Sequence, residues 1–581
     1  MAQITEQIKR LENLINLDPQ NIINYFDLGN IYIKLKRYDL ALKNFQKTVE
    51  IDQKFLQGYN NIANIHRELK NTEESIKYFK KAIKINPNYI NAIFNLAVVY
   101  SEIGEDKASA NYFMMVLKIN PNHIPTLNNF GILLKNSKKY SEAMICFEKI
   151  IKIDSNFLRA YNNIGTIALE LGDIKKSINS YKKAFNLNPN TFTSYRNLLA
   201  VYENSNQIES YEKILKLTKE KFPNENVLNF YDAVLLFRKK RYKESINLLE
   251  KNLFENELEI KRNFFLGKSY DLINQTASAF KHFNRANKLT ENSLEAKKFD
   301  KNKYLSNIDY RKKYFTKHNI NKWKPLNYSS NNLNPVFLIG FPRSGTTLLD
   351  TILRSHPKIE VIEEEPMVLN MLSVIKKNKF DYLKNISSNK INELQKRYKN
   401  ELRKHVENTN KSKLYIDKLP LNIINAGEIS RIFPNAKFIL ALRHPVDCVL
   451  SCYMQDFKLN DAMNNFINLG DSANLYRKTM KLWEQYTSTL KINYISIKYE
   501  NLITDLEINI KTIVKFLDLN WDQSMLNYRK TAFERNKIST PSYYQVIQPI
   551  YKHADQRWRR YKKYLTDIEP ILSEFIDKYK Y

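Results

Sequence analysis

The first half of the chain repeats its pattern of apolar and polar positions every 34 residues. Aligned on a Leu-Gly-like pair, eight units read Leu28-Gly29, Ile62-Ala63, Leu96-Ala97, Phe130-Gly131, Ile164-Gly165, Leu198-Leu199, Asp232-Ala233 and Leu266-Gly267. Within each unit apolar residues recur at helical spacing in two stretches. Tyr32 and Tyr100 close first helices, and Asn86-Pro87, Asn120-Pro121 and Asn188-Pro189 break second ones. Each unit is therefore predicted to be a helical hairpin, with the small residue of the pair letting its helices approach. One hairpin cannot bury its apolar face alone, so stacking yields a superhelix with a concave groove over residues 1–295. Asn61, Asn95, Asn129, Asn163 and Asn197 precede the pair in five successive units. A line of amides offers donors and acceptors to the backbone of an extended peptide. Equally, Asn is abundant throughout this chain.

From Ala296 to Asn334 the repeats fade into a charged, aromatic helical stretch, read as a linker, that ends in the polar run Asn327 to Asn332. Beyond it, over 335–581, the pattern changes to short apolar strands. Val336–Ile339 is followed by Gly340-Phe341-Pro342-Arg343-Ser344-Gly345-Thr346-Thr347 and a helical stretch, Leu348 to Arg354. Strand, turn and helix in this order aim backbone N–H groups and a helix dipole at a phosphate, close to the GxxxxGK[ST] spacing. Thr346 replaces the lysine of that motif, and no partner strand presents a magnesium-binding Asp, so the loop lacks the tools of a nucleotide hydrolase.

Four more strands are expected: Ile359–Ile362 before Glu363-Glu364-Glu365, Lys413–Ile416 before Asp417-Lys418, Ala436–Leu442 before Arg443, and Tyr494–Lys498 before Tyr499-Glu500. The crossover from the first strand to the second is expected to set their ends side by side, bringing a carboxylate to the phosphate loop. The three acids equally suit the N-terminus of the following helix, and a lone lysine carries little weight in a lysine-rich chain. Polar residues at the carboxyl ends of five strands lie where open α/β sheets bind ligands.

Composition narrows the picture. The chain has 581 residues, 43% of them apolar and 26% charged, which is a folded, multidomain composition. Its net charge of +31 is spread along the whole chain, so no nucleic-acid partner is expected. Cys146, Cys448 and Cys452 form no disulfide framework or zinc-ligand spacing, and no signal peptide or membrane-spanning run appears. A cytoplasmic protein with no metal is expected.

The repeat resembles the tetratricopeptide repeat family, and the asparagine column resembles the ladder by which protein O-linked N-acetylglucosamine transferases hold polypeptide acceptors. Pro342 to Thr347 after a strand, with the Arg443 to Ser451 spacing, resembles the sulfotransferases that use 3′-phosphoadenosine 5′-phosphosulfate (PAPS). Residues 335 to about 560 are similar to the protein-tyrosine sulfotransferases.

The resemblance implies that Arg343, Ser344, Gly345, Thr346 and Thr347 contact the 5′-phosphosulfate, and that Arg443 and Ser451 hold the 3′-phosphate. It implies further that Glu364 is the catalytic base, Lys418 the leaving-group lysine, and Tyr499 a cofactor contact. Ser542, in the segment Ser542 to Pro549, takes the stabilising-serine position, and Arg557 a basic contact. Two positions depart from the family: Gln455 stands for an arginine, and Ile362-Glu363-Glu364 for Gly-Glu-Glu.

The expected fold is α+α/β, an all-α repeat superhelix followed by a P-loop-like α/β domain with a central parallel sheet. The expected activity is sulfuryl transfer from PAPS to an acceptor hydroxyl, foremost a protein tyrosine presented by the groove. The alternatives are a glycan, lipid or small-molecule acceptor, or a non-catalytic scaffold with a nucleotide-binding domain.

Overall fold

The computed structural model describes residues 2–326, 334–375, 379–406, 413–534 and 556–581. The polar run Asn327–Asn332 and the segment Ser542–Pro549 lie outside the described residues. The chain divides into two compact units, Met1–Val201 and Tyr202–Tyr581.

The first unit is all helix. After Ala2–Leu17 come antiparallel pairs such as Ile22–Lys34 with Tyr38–Ile51, and Ile124–Asn136 with Tyr140–Ile153. The reason for the small residue in most of the pairs is direct. A Cβ on Gly29 would sit 2.8 Å from the Phe45 ring, one on Gly131 2.7 Å from Phe147, and one on Gly165 2.7 Å from Tyr181. Serines lock the same joint: Ser109 Oγ donates to the Ala97 carbonyl and Ser177 Oγ to that of Gly165, both at 2.8 Å.

The second unit opens with further hairpins, Val227–Arg238 with Tyr242–Lys251 and Asn256–Leu272 with Thr276–Glu291, and continues through Lys301–Tyr314 into an α/β fold. Segment 301–326 packs into that fold. Arg311 donates to Glu428 Oε1 and Asn425 Oδ1 at 3.0 and 2.9 Å, and the buried Phe315 ring lies 5.0 Å from that of Tyr486.

Five parallel strands make the sheet: β1 (Val336–Gly340), β2 (Ile359–Glu363), β3 (Leu414–Lys418), β4 (Lys437–Leu442) and β5 (Asn493–Lys498), in the order β2-β3-β1-β4-β5. Both faces of the sheet are covered, as all-parallel sheets require. Val336, Leu338, Ile416 and Ile439 pack against Ile352 and Ile513 on one side, and Phe337 and Phe438 stack on the other, with Trp483 beyond. The strands begin and end within two residues of their predicted limits, the largest difference being β3, which runs on through Asp417 and Lys418 instead of ending before them. Their arrangement corrects one expectation: β1 and β2 are not neighbours, because β3 lies between them and pairs with both. The chain moves to one side of β1 for β2 and β3 and to the other for β4 and β5, which makes the carboxyl end of β1 a switch point. Among the described residues no helix is long and apolar enough to cross a membrane.

Candidate active site

The loop after β1 is shaped by its backbone. Arg343 and Gly345 both adopt positive φ, 70° and 95°, so consecutive N–H groups turn toward one side before the helix Thr346–Arg354 begins. Two glycines are required by contact. A Cβ on Gly340 would lie 2.7 Å from the Ala441 carbonyl oxygen, and one on Gly345 would lie 2.7 Å from Cδ2 of Tyr499. Ser344, Thr346 and Thr347 are buried, and the Ser344 hydroxyl has no hydrogen-bond partner among the described residues.

Cations converge beside this loop. Arg343 donates through Nε to Ser451 Oγ at 3.0 Å, and Arg443 Nη1 reaches the Arg343 carbonyl at 3.4 Å. The Arg443 guanidinium lies 4.9 Å from the centroid of the Tyr499 ring, with Asp447 at 3.7 Å. Burial, with the charges of Arg443 and Arg557 added, pulls the Arg343 pKa down to about 10. A half-buried guanidinium destabilised in this way gains from a polyanion, and a left-handed loop with an orphaned hydroxyl beside it fits a phosphate.

The second cluster sits at the ends of β2 and β3. Glu363 is in register with Lys418, and the Glu364 N–H donates to the Lys418 carbonyl at 2.7 Å, which continues the ladder by one residue. Lys418 Nζ lies 2.8 Å from Glu364 Oε1 and 3.3 Å from Glu363 Oε1. The lysine side chain is fully buried, whereas that of Glu364 is 33% exposed. Glu365 turns instead toward His405, at 3.7 Å. Two of the three acids thus serve Lys418 rather than the following helix Met367–Leu372, and of these two Glu364 is the more open.

Burial works against a charged Lys418, but Glu364, Glu363 and Asp350 outweigh it and hold its pKa above the ordinary value. Burial also raises the Glu364 carboxyl, with Lys418 opposing. Asp417, the preceding residue of β3, faces the other way: Tyr398 Oη donates to its Oδ2 at 3.1 Å and Asn422 Nδ2 to its Oδ1 at 3.4 Å. No Asp therefore points from this strand at the phosphate loop.

The expected residues fall into groups. The loop, Arg443, Ser451 and Tyr499 share one cluster, and Glu364 and Lys418 share another next to it in the sheet, since β1 separates β3 from β4. Arg557 contributes charge to the first cluster, with Nη1 3.8 Å from the Met454 sulfur. Ser542 lies outside the described residues. The asparagines of the first unit recur at one position in the first helices of successive pairs, and several of their amides bond within the repeats. Asn61 Nδ2 donates to Asn30 at 3.3 Å, Asn95 to Asn60 at 3.1 Å and Asn197 to Asn162 at 3.0 Å. Asn163 accepts from Lys135 Nζ at 2.7 Å, and Asn129 accepts from Asn128 at 3.2 Å.

Sequence reasoning missed Asp350, Asp447 and Asp271. An acid one helical turn after Arg443 was a readable signal for Asp447. Nothing marked Asp271, which bonds residues nearly three hundred positions away. Among the described residues no group of three or more His, Cys, Asp or Glu side chains is placed to hold a metal ion.

Residues 335–523 match the sulfotransferase family, and residues 24–55, 57–89, 78–108, 124–157 and 158–191 match tetratricopeptide repeat models. The chain joins tetratricopeptide repeats to a sulfotransferase-family domain. Among its relatives is an uncharacterized protein of Aquifex aeolicus (strain VF5), 28% identical over 343 residues, which are 57% of this chain and 44% of that protein. Protein-tyrosine sulfotransferase A of Caenorhabditis elegans is 26% identical over 240 residues, 38% of this chain and 60% of its own. The alignments thus span less than two thirds of either relative's length. Among solved structures, YrrB, a TPR protein with an unusual peptide-binding site, aligns over 32% of this chain and 96% of its own at 19% identity, with a TM-score of 0.28.

Proposed function

We propose that this protein transfers a sulfuryl group from PAPS to an acceptor hydroxyl, with a tyrosine of a protein docked on the repeats as the acceptor. The observation that carries the proposal is the pairing of Glu364 with the buried Lys418, next to a phosphate loop flanked by arginines. Bound PAPS would supply an activated sulfuryl group on its 5′-phosphate. Arg343 and the amides from Ser344 to Thr347 hold that phosphate, and Arg443 and Ser451 hold the 3′-phosphate, with Tyr499 and Arg557 beside them. Glu364 takes the proton of the incoming hydroxyl; a raised carboxyl is a stronger base than an ordinary one, and a phenol with pKa near 10 needs one. Lys418, kept protonated by its carboxylates, donates to the departing phosphate oxygen, and Ser542 supports the sulfuryl oxygens.

Sulfuryl transfer of this kind needs no metal. Three free, buried cysteines suit a reducing, cytoplasmic setting. The repeats serve as the acceptor's docking surface, with the asparagine column as candidate contacts.

The test is transfer of labelled sulfate from PAPS to proteins of a cell extract. Label on tyrosine is expected. Glu364→Gln should lower turnover by about 10²- to 10⁴-fold while PAPS binding persists. Label only in glycan, lipid or metabolite fractions, or unchanged turnover in the variant, would contradict the acceptor and the base respectively.

A further inference from the structure

The helical hairpin Asn256–Leu272 with Thr276–Glu291 reaches toward the cation cluster of its own unit. Asp271, near the end of its first helix, is only 5% exposed. Its Oδ1 accepts from Tyr561 Oη at 2.8 Å and lies 3.2 Å from Arg560 Nη2, and its Oδ2 lies 3.7 Å from Arg557 Nε. Arg560 also donates to Asn274 Oδ1 at 2.7 Å. A buried carboxylate must be paired, and here every partner comes from the one segment Arg557–Tyr564. The same hairpin grips that segment's end, where Phe280 stacks on Tyr564 with centroids 4.1 Å apart. It also grips the helix that carries Ser451: Asn287 Nδ2 donates to the Tyr453 carbonyl at 2.9 Å.

We infer that Asp271 is a positioning residue of the donor pocket, and that the hairpin carrying it is a wall of that pocket rather than a detachable docking module. Asp271 holds Arg557 where its charge adds to those of Arg343 and Arg443. This rests on the donor-binding reading given above.

The sign of the effect separates this role from a plain through-space one. An anion beside a phosphate site repels the ligand, so removing Asp271 should tighten binding if its charge alone mattered. If Asp271 acts by holding Arg557, removing it should weaken binding.

Calorimetry of adenosine 3′,5′-bisphosphate on the full chain tests this. Asp271→Asn and Arg557→Gln are each expected to weaken binding by about tenfold or more, with the double variant no weaker than either single one, and Asp271→Glu to recover part of the loss. Unchanged or tighter binding in Asp271→Asn, or additive losses in the double variant, would overturn the inference. Should Asp271→Asn not fold, Tyr561→Phe removes one hydrogen bond to the carboxylate and is expected to weaken binding severalfold; an unchanged constant there would overturn it too. Failure of the wild-type chain to bind the bisphosphate would instead overturn the donor reading itself.

Discussion

Two carboxylates at the ends of neighbouring strands show how position sets chemistry. Glu364 is partly open and tied to Lys418, and burial raises its pKa above the ordinary 4.5. Transfer should therefore show an acid limb displaced upward from the usual glutamate range, rates falling as the pH drops through it, and Glu364→Gln should abolish that limb. A limb that survives in the variant would assign the titration to another group.

Asp417 is sealed inside, and burial lifts its carboxyl from 3.8 to about 7. Its folded pKa exceeds the unfolded one, so its contribution to stability is complete below about pH 4 and declines as the pH rises toward 7, by about 1.4 kcal/mol per unit. Asp417→Asn lacks this decline. Denaturant unfolding of both proteins from pH 4 to 8 should show the variant gaining on the wild type by a few kcal/mol up to pH 7 and levelling beyond. A constant difference across that range would contradict the burial argument.

Among elements, the phosphate loop is the most constrained. Gly345 holds φ at 95° with Tyr499 beside it, so Gly345→Ala meets both backbone strain and a ring 2.7 Å from the added Cβ. Thermal unfolding should register a loss of about 1–3 kcal/mol, and affinity for the bisphosphate should fall with it. Stability and affinity both equal to the wild type's would mean that the loop adopts another conformation.

The strands themselves were legible from short apolar runs ending in polar residues, and the loop from its glycines. Sheet order was not, because nothing local in Leu414–Lys418 says that it will insert between β1 and β2. That insertion matters chemically, since it puts Lys418 directly against Glu363 and Glu364. In the repeats the 34-residue period was plain. The inward bonding of Asn61, Asn95 and Asn197 was not, because it depends on asparagines of the preceding helix pair.

For the whole molecule, the compact units are Met1–Val201 and Tyr202–Tyr581. Hairpins that read as repeats, from Tyr202 onward, belong to the same compact unit as the sheet. Bonds within that unit such as Asp271 to Tyr561 and Asn287 to Tyr453 join residues 290 and 166 positions apart and leave no periodic trace.

The central claim, a pocket that recognises two phosphates on one adenosine, is tested most directly by calorimetry of adenosine 3′,5′-bisphosphate against adenosine 5′-monophosphate. Charge-assisted contacts to the 3′-phosphate should make the bisphosphate bind about a hundredfold or more tightly. Equal affinities for the two nucleotides would contradict the account.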